Sequence, residues 1–588
     1  MRYQLIKPMN QNYGAVMQIL TNRGIPEHEV AHYLNTTDAD ISSPLDLGES
    51  LLKEAAATIV GHIGADRKAL VICDCDCDGF TSAALLINYL YDICPAYVQN
   101  NLKWFVHEDK QHGLEDVMDY INSHDFSLII APDASSNDYE YHKQLRDKGI
   151  DVIVLDHHLA DKVSENAIVI NNQLCDYKNK ELSGVGVVYQ FCRYIDKMMN
   201  TNYADEYLDL VALGLTGDMM SLTSIETKHL IHKGFLPDNI KNPYIYEMWQ
   251  KNKFKLGEHI TSIDAAFYIV PMINAVQRSG TIEEKEILFK SMLKYEAFQM
   301  IDSTKRGCKG QTERLVEQAV RMSTNVKNRQ TRVQDASIEY LEKLIETRNL
   351  KEHKVLLFLL EKGKVDKNVA GLIANKFAAK YQRPCCILTA GEDESGSTVY
   401  QGSARGYEMS GITNFKDICD VSECTNWTAG HQNAFGMSLS ADKVEDFLGY
   451  TDFALANMSS EPIYYVDYIY NGADIHPADI LEISDLNSLW GKDMDEPLVA
   501  IKDIKINKDM ITVYRKTSNT LKITLPNKVS LMRFNATDEE CEALENHTGA
   551  YVQLDIVGKC NKNEWMGNVS PQVFIEDYEI TGHGKYLF

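Results

Sequence analysis

The side chains best suited to chemistry come in four short stretches. Asp74-Cys75-Asp76-Cys77-Asp78-Gly79 follows the apolar run ALVIC (69–73). A DxDxDG string also opens a calcium-binding EF-hand. Here the twelfth position, which must be a bidentate Glu, is Leu85, and the preceding segment reads as a strand, so that reading fails. In an extended chain a period of two places the three carboxylates on one side, and Gly79 lets the chain turn into a helix opened by Thr81 and Ser82. Acids so crowded repel one another unless cations sit among them. The alternating Cys73, Cys75 and Cys77 point to the other side, where small apolar packing is the simpler role.

The pattern recurs. SLIIA runs into Pro132-Asp133, DVIVL into Asp156-His157-His158, and LVALGL into Thr216-Gly217-Asp218. Taken alone, an Asp after a strand is usually a helix cap, and a His-His pair is more often a surface feature than a ligand pair. Four such stretches in order, each after a buried-type strand, point to one crevice beyond the carboxyl ends of a parallel sheet. Mixed carboxylate and imidazole donors suit Mn²⁺ or Mg²⁺, with His favouring Mn²⁺. Cys385, Cys386, Cys419 and Cys424 lack the paired CxxC spacing of a zinc site.

Elements that position these groups are legible from periodicity. Strand-like runs alternate with helical ones from about 65 to 215, which predicts an α/β domain with a mainly parallel sheet. Residues 1–60 read as a helical segment, 61–285 as the domain with the acids, and 286–350 as a charged connecting helix. A smaller α/β domain follows at 351–454. Strand-like runs in 455–588, such as VAIKDIKI and YVQLDIVG, suggest a small β-barrel of the OB type.

The chain of 588 residues is too long for one core. Its net charge of −25 means that nucleic acid has to be met through a local basic channel. Thirteen cysteines, an odd count without regular spacing, fit a reducing compartment. The opening MRYQLIKPMNQNYG lacks a signal peptide's apolar stretch, and no run approaches the ~20 apolar residues of a membrane span. A soluble, cytoplasmic protein without membrane contact is expected.

Taken in order, these motifs resemble the DHH phosphoesterase family, and within it the RecJ-like single-strand exonucleases. The resemblance rests on DCDCDG, Asp133, LDHH (155–158), ELSGVGVVYQF (181–191), LVALGLTGDMM and PMINAVQR (271–278), then GSARG (402–406), AGHQNAFG (429–436) and the tail NEWMGNVSPQVFIEDYEI (563–580). It implies a phosphodiesterase with two Mn²⁺ or Mg²⁺ ions, degrading single-stranded DNA from the 5′ end in repair, recombination or replication. By position, Asp76, Asp78, Asp133, His157 and Asp218 would be ligands, with Asp133 bridging, Asp74 at the metal edge and His158 near the scissile phosphate. Gly402, Ser403 and Arg405 would hold DNA phosphates on a loop, an ordinary tight turn being the plainer alternative. His431 would touch the reacting phosphate, and Arg278 would contact the backbone. Trp565 and Tyr578 lie on the expected barrel, where aromatics stack bases at about 1–3 kcal/mol each; core packing serves equally well for both. A monomer working with single-strand-binding protein or a helicase is the implied setting.

Several motifs depart from the family pattern. Pro132-Asp133-Ala134-Ser135 replaces a Val-Asp-Asn-Gly string, Gln277 stands where Gly precedes the Arg, and Ala429 and Phe435 replace Gly and Ala. The arginine-bearing EGYG loop becomes HEDKQH (107–112), so His107 or Lys110 would stand in for a guanidinium at a 5′ phosphate. Such loosening suits a divergent, phage-type branch. The alternatives are a nanoRNase or nucleotide phosphatase, which would lack the terminal barrel, and a non-catalytic replication scaffold, which would have lost ligands.

Overall fold

The computed structural model describes residues 1–108, 112–393, 396–407, 409, 411–458, 461–547, 549–565 and 567–584, with the backbone alone at Trp565. Two compact units emerge: residues 23–328 with 486–496, and residues 1–22 with 329–485 and 497–588.

In the first unit, β1 (Ala69–Cys73), β2 (Leu102–Val106), β3 (Leu128–Pro132), β4 (Asp151–Asp156) and β5 (Ile168–Asn171) form an all-parallel sheet of order β2-β1-β3-β4-β5. β1 and β3 are buried at every position, as continuous apolar runs must be when both faces of a sheet are covered. Leu70, Ile72, Ile129, Val152 and Val154 pack with Leu114, Met118 and Leu145 on one face. The helix α1 (Cys77–Ile93) is buried through most of its circumference. Strand order reverses between β1 and β3, the switch point at which open α/β sheets bind ligands. Val71 pairs with Ile130 and Pro132 with Leu155, so Asp74, Asp133 and Asp156 leave the sheet at one level.

Four sequence expectations need correction. The DCDCDG segment is not an extended strand end: β1 stops at Cys73 and α1 opens at Cys77, so Asp76 is the helix cap and Asp78 sits in the first turn. LVALGL is helical, within α3 (Leu208–Gly217), which follows α2 (Gly184–Met199); Asp218 is therefore a helix C-cap. A buried helix and a buried strand are equally apolar, and periodicity cannot separate them. The N-terminal segment is not wholly helical, because Arg2–Leu5 pairs in parallel with Ile463–Val466. Finally, the 286–350 stretch is not one helix. After α4 (Val270–Ser279) and α5 (Ile282–Met292), Met300–Asp302 and Thr312–Arg314 pair as a hairpin, and the long helix α6 occupies Leu315–Thr347.

The second unit holds a five-stranded mixed sheet, order β9-β10-β8-β7-β6, made of β6 (Leu356–Leu360), β7 (Cys385–Glu392), β8 (Thr398–Arg405), β9 (Thr425–His431) and β10 (Ala434–Ser440). Helix α7 (Lys367–Tyr381) packs Val369, Ile373 and Phe377 against Phe358. Its C-terminal part is a seven-stranded mixed sheet ending in the long hairpin Val552–Trp565 and Asn568–His583. None of the thirteen cysteines, all of them described, is joined in a disulfide.

Candidate active site

The loop after β1 is set by two local devices. Asp76 caps α1, its Oδ1 accepting from the Gly79 amide at 2.9 Å. A Cβ on Gly79 would lie 2.5 Å from that of Asp74, so only glycine lets the helix start this close to the strand. Asp78 faces the N-terminus of α2: Ser183 Oγ and the Val185 amide donate to its Oδ1, and the Gly184 amide to its Oδ2 at 2.7 Å. The positive end of that helix holds the carboxylate in place. Asp133 sits at φ 61° and Ser135 at φ 81°, a left-handed bend that turns the chain sharply out of β3. Gly184 presses on Asp133, whose Oδ1 a Cβ there would overlap.

Asp156, at the end of β4, organises the histidine pair. Its Oδ1 accepts from the His157 and His158 amides and from His158 Nδ1 at 2.8 Å, while Oδ2 accepts from the Ser136 amide. His157 points the other way: Nε2 lies 3.2 Å from Asp133, 3.4 Å from Asp218 and 4.0 Å from Asp78. None of these approaches is a directed hydrogen bond. His157 Nε2, Asp133 Oδ1 and Asp74 Oδ1 are buried without a hydrogen-bond partner among the described residues.

The electrostatics are equally unresolved by the protein alone. Burial, reinforced by the neighbouring carboxylates, pushes Asp133 well above the carboxylate range, Asp218 up to about 8 and Asp74 up to about 6; burial also raises Asp78. Burial lowers His157, leaving a neutral imidazole. His158 goes up to about 9 through its bond to Asp156, and that carboxylate stays low despite burial, held by His158 and Ser136.

Donor atoms fall into three overlapping groups: Asp74, Asp76 and Asp133; Asp78, His157 and Asp218; and Asp133, His157 and His158. Asp133 and His157 each belong to two, so the residues form a continuous donor surface with oxygen and imidazole ligands that fit Mn²⁺ or Mg²⁺. Beside them opens a cavity of about 590 Å³ lined by His112, Asp133, Ser135, Asp138, Asp156 and His158.

The remaining sequence candidates are placed as follows. Arg278 is in the last turn of α4, next to Gln277, whose carbonyl lies 3.8 Å from Cys75 Sγ. Gly402, Ser403 and Arg405 stand on β8, a strand instead of a loop or tight turn. Gly402 is demanded by its neighbour strand, since a Cβ would strike the Ile387 carbonyl. Ser403 and Arg405 face Gly371 of α7, whose missing side chain leaves room for the guanidinium. His431 is exposed at the end of β9. Tyr578 is half-buried in the C-terminal hairpin, and burial raises its hydroxyl to about 12. The Trp565 side chain and Lys110 lie outside the described residues. His107 is no guanidinium substitute: it is buried, and burial lowers it to about 4.

Sequence reasoning misses four contributors. Asp156 enters it only as part of a string, Ser183 and Gly184 only as part of a motif, and His112, whose Nδ1 lies 2.6 Å from Asp74, only as the end of a loop. For Gly184 the available signal is a glycine pair opening an apolar helix; for His112 it is only the place of HEDKQH in the order of motifs, which does not reveal the contact with Asp74.

Residues 68–215 match the DHH family, N-terminal domain, and residues 466–577 the RecJ OB domain. A Bacillus subtilis protein named putative SPbeta prophage-derived single-strand DNA-specific exonuclease YorK is 32% identical over 586 residues, covering 99% of this chain and 98% of that one. The chain belongs to the DHH family, in its RecJ-like branch. The single-stranded-DNA-specific exonuclease RecJ of Bacillus subtilis is 25% identical, covering 96% of this chain and 68% of that one. In fold, RecJ from Thermus thermophilus, solved in complex with Mn²⁺, superposes with a TM-score of 0.68 over 99% of this chain and 80% of that chain, at 18% identity. The RecJ-like fold class thus holds, including the C-terminal OB domain. Among the described residues no helix is long and apolar enough to cross a membrane.

Proposed function

We propose that this RecJ-like protein is a two-metal exonuclease that removes nucleotides from the 5′ end of single-stranded DNA. One observation carries the reading: the donor groups around Asp133 and His157 overlap, while their buried atoms have no partner among the described residues. The names of the relatives, single-strand DNA-specific exonucleases, support the substrate class. Two bound divalent ions would supply a water of lowered pKa and neutralise charge on the phosphate.

Each residue has a defined task. Asp74, Asp76 and Asp133 would hold one ion and Asp78, His157 and Asp218 the other. The α2 N-terminus fixes Asp78, so its carboxylate cannot swing when charge arrives. Asp156 accepts from Nδ1 of His158, and the proton available to a phosphate oxygen is therefore the one on Nε2. In the second unit, Ser403 and Arg405 offer a hydroxyl and a forked guanidinium to the DNA backbone, with His431 and the Trp565 position as further contacts; the first unit adds Arg278.

The test is end-labelled DNA blocked at the 5′ or the 3′ terminus, incubated with Mn²⁺ or Mg²⁺. Mononucleotides should appear from an open 5′ end whatever the state of the 3′ end, and Asp133→Ala should slow the reaction at least about a hundredfold. Release only from an open 3′ end would reverse the polarity, and cleavage untouched by the substitution would place the active site elsewhere.

A further inference from the structure

The cavity beside the donor groups has a wall of acids, hydroxyls and imidazoles, with one member of another kind. Among the described residues that line it, Leu159 is the one large apolar side chain. Leu159 follows His158 directly and is 81% exposed to water. An exposed leucine on a protein surface is ordinary by itself. This one differs in how its segment is held.

The backbone from His158 to Lys162 is fastened at four residues. The His158 carbonyl accepts from Asn171 Nδ2 at the end of β5, and the Leu159 carbonyl from Asn137 Nδ2, each at 2.9 Å. Asn137 Oδ1 in turn accepts from the Asp161 amide at 3.3 Å. Tyr139, which opens the helix Tyr139–Asp147, accepts from the Lys162 amide on its hydroxyl at 3.2 Å, and the Lys162 ammonium lies 4.7 Å from the centre of its ring. These ties bind the segment to the bend after β3 and to β5. They keep Leu159 at the cavity wall, beside His158, where a slack loop would be free to fold the leucine inward.

A cavity of about 590 Å³ takes one nucleotide. The acids and hydroxyls of its wall suit a sugar and, through bound cations, a phosphate. The two imidazoles are turned to Asp74 and Asp156. Leu159 is the apolar surface left for the face of a base. An aliphatic contact makes no hydrogen-bond demand and so accepts every base, as an enzyme that works through a strand nucleotide by nucleotide requires.

We propose that Leu159 carries the nucleobase of the nucleotide that is released. This rests on the nuclease reading of the same site, and the experiment separates the two. Thymidine 5′-monophosphate and 2-deoxyribose 5-phosphate, which differ by the base alone, are titrated by calorimetry into the Mn²⁺-loaded full chain. Mn²⁺ uptake and steady-state cleavage of oligothymidylate are followed in parallel. Because Leu159 is exposed, Leu159→Ala removes the contact without opening the core.

The wild type should bind the nucleotide at least about fivefold more tightly than the sugar phosphate. Leu159→Ala should weaken the nucleotide about fivefold, leave the sugar phosphate and Mn²⁺ within about twofold, and raise KM more than it lowers kcat. Leu159→Met, apolar and of similar volume, should keep the wild-type preference. A wild type that binds neither ligand or holds both equally, or a Leu159→Ala chain in which both ligands weaken alike or neither changes, would overturn the proposal. A wild-type chain that binds Mn²⁺ and the nucleotide but cuts no DNA would instead end the nuclease reading, with the comparison of the two ligands still deciding this one.

Discussion

Asp133 and Glu313 are both almost sealed from water, and they live in opposite worlds. Glu313 lies on the hairpin before α6, where Arg321 donates to both its oxygens, Lys305 approaches to 3.1 Å and Ser303 adds a hydroxyl. Those partners, Arg321 first, bring it down to about 2. Burial pushes Asp133 far the other way, and the surrounding Asp78, Asp76, Asp74 and Asp156 add to it. A buried acid whose charge is answered inside the protein is structural. One left with like charges and idle lone pairs is built for a ligand the chain does not contain.

If the two acids differ in this way, substitution should separate them, most strongly at Asp133. Asp133→Asn should lower nuclease activity by at least about a hundredfold while the protein stays folded by circular dichroism. Glu313→Gln should do the converse. Leaving Arg321 and Lys305 without their carboxylate should destabilise the protein by about 2 kcal/mol in urea titration, with Mn²⁺ binding intact. Its pH dependence has a definite sign. Because the folded value lies near 2 and the ordinary one is 4.5, this stabilisation is complete above about 4.5 and fades as pH falls toward 2. Glu313→Gln should therefore lose its penalty in acid, where the wild type loses its advantage.

Smaller effects probe the Asp133 side more finely. Gly184→Ala pushes a methyl group onto Asp133 and should cut kcat about tenfold in Mn²⁺, with the melting temperature measured in parallel to exclude global damage. Smallest of all, Asp133→Asn should stabilise the metal-free chain by about 1 kcal/mol, since it removes one like charge from a crowded site. The gain should vanish when Mn²⁺ is added to both proteins.

Much of the catalytic unit is readable from the sequence. Short apolar runs ending in acids predict the parallel sheet and place Asp74, Asp133 and His157 at strand ends, because burial on both faces leaves a plain mark on composition. Where composition is silent, the prediction fails. LVALGL is as apolar in a helix as in a strand, and Asp76 and Asp78 leave the strand period because a cap and a glycine start α1 earlier than expected. GSARG reads as a loop since glycine and serine favour turns, yet its first glycine answers the crowding of an adjacent strand.

The amino-acid order alone decided which groups exist: the acids, the imidazoles, the apolar runs that must be buried, and the family they resemble. Folding alone decided which of them meet. His112 lies far along the chain from Asp74, Lys285, which donates to the carbonyl of His107, lies farther still from it, and Gly184 is remote from Asp133. Each pairing follows from strand order and helix packing. The physical reason is that local propensity acts over a few residues, whereas a charge's environment is set by whatever the whole chain brings within a few ångströms of it.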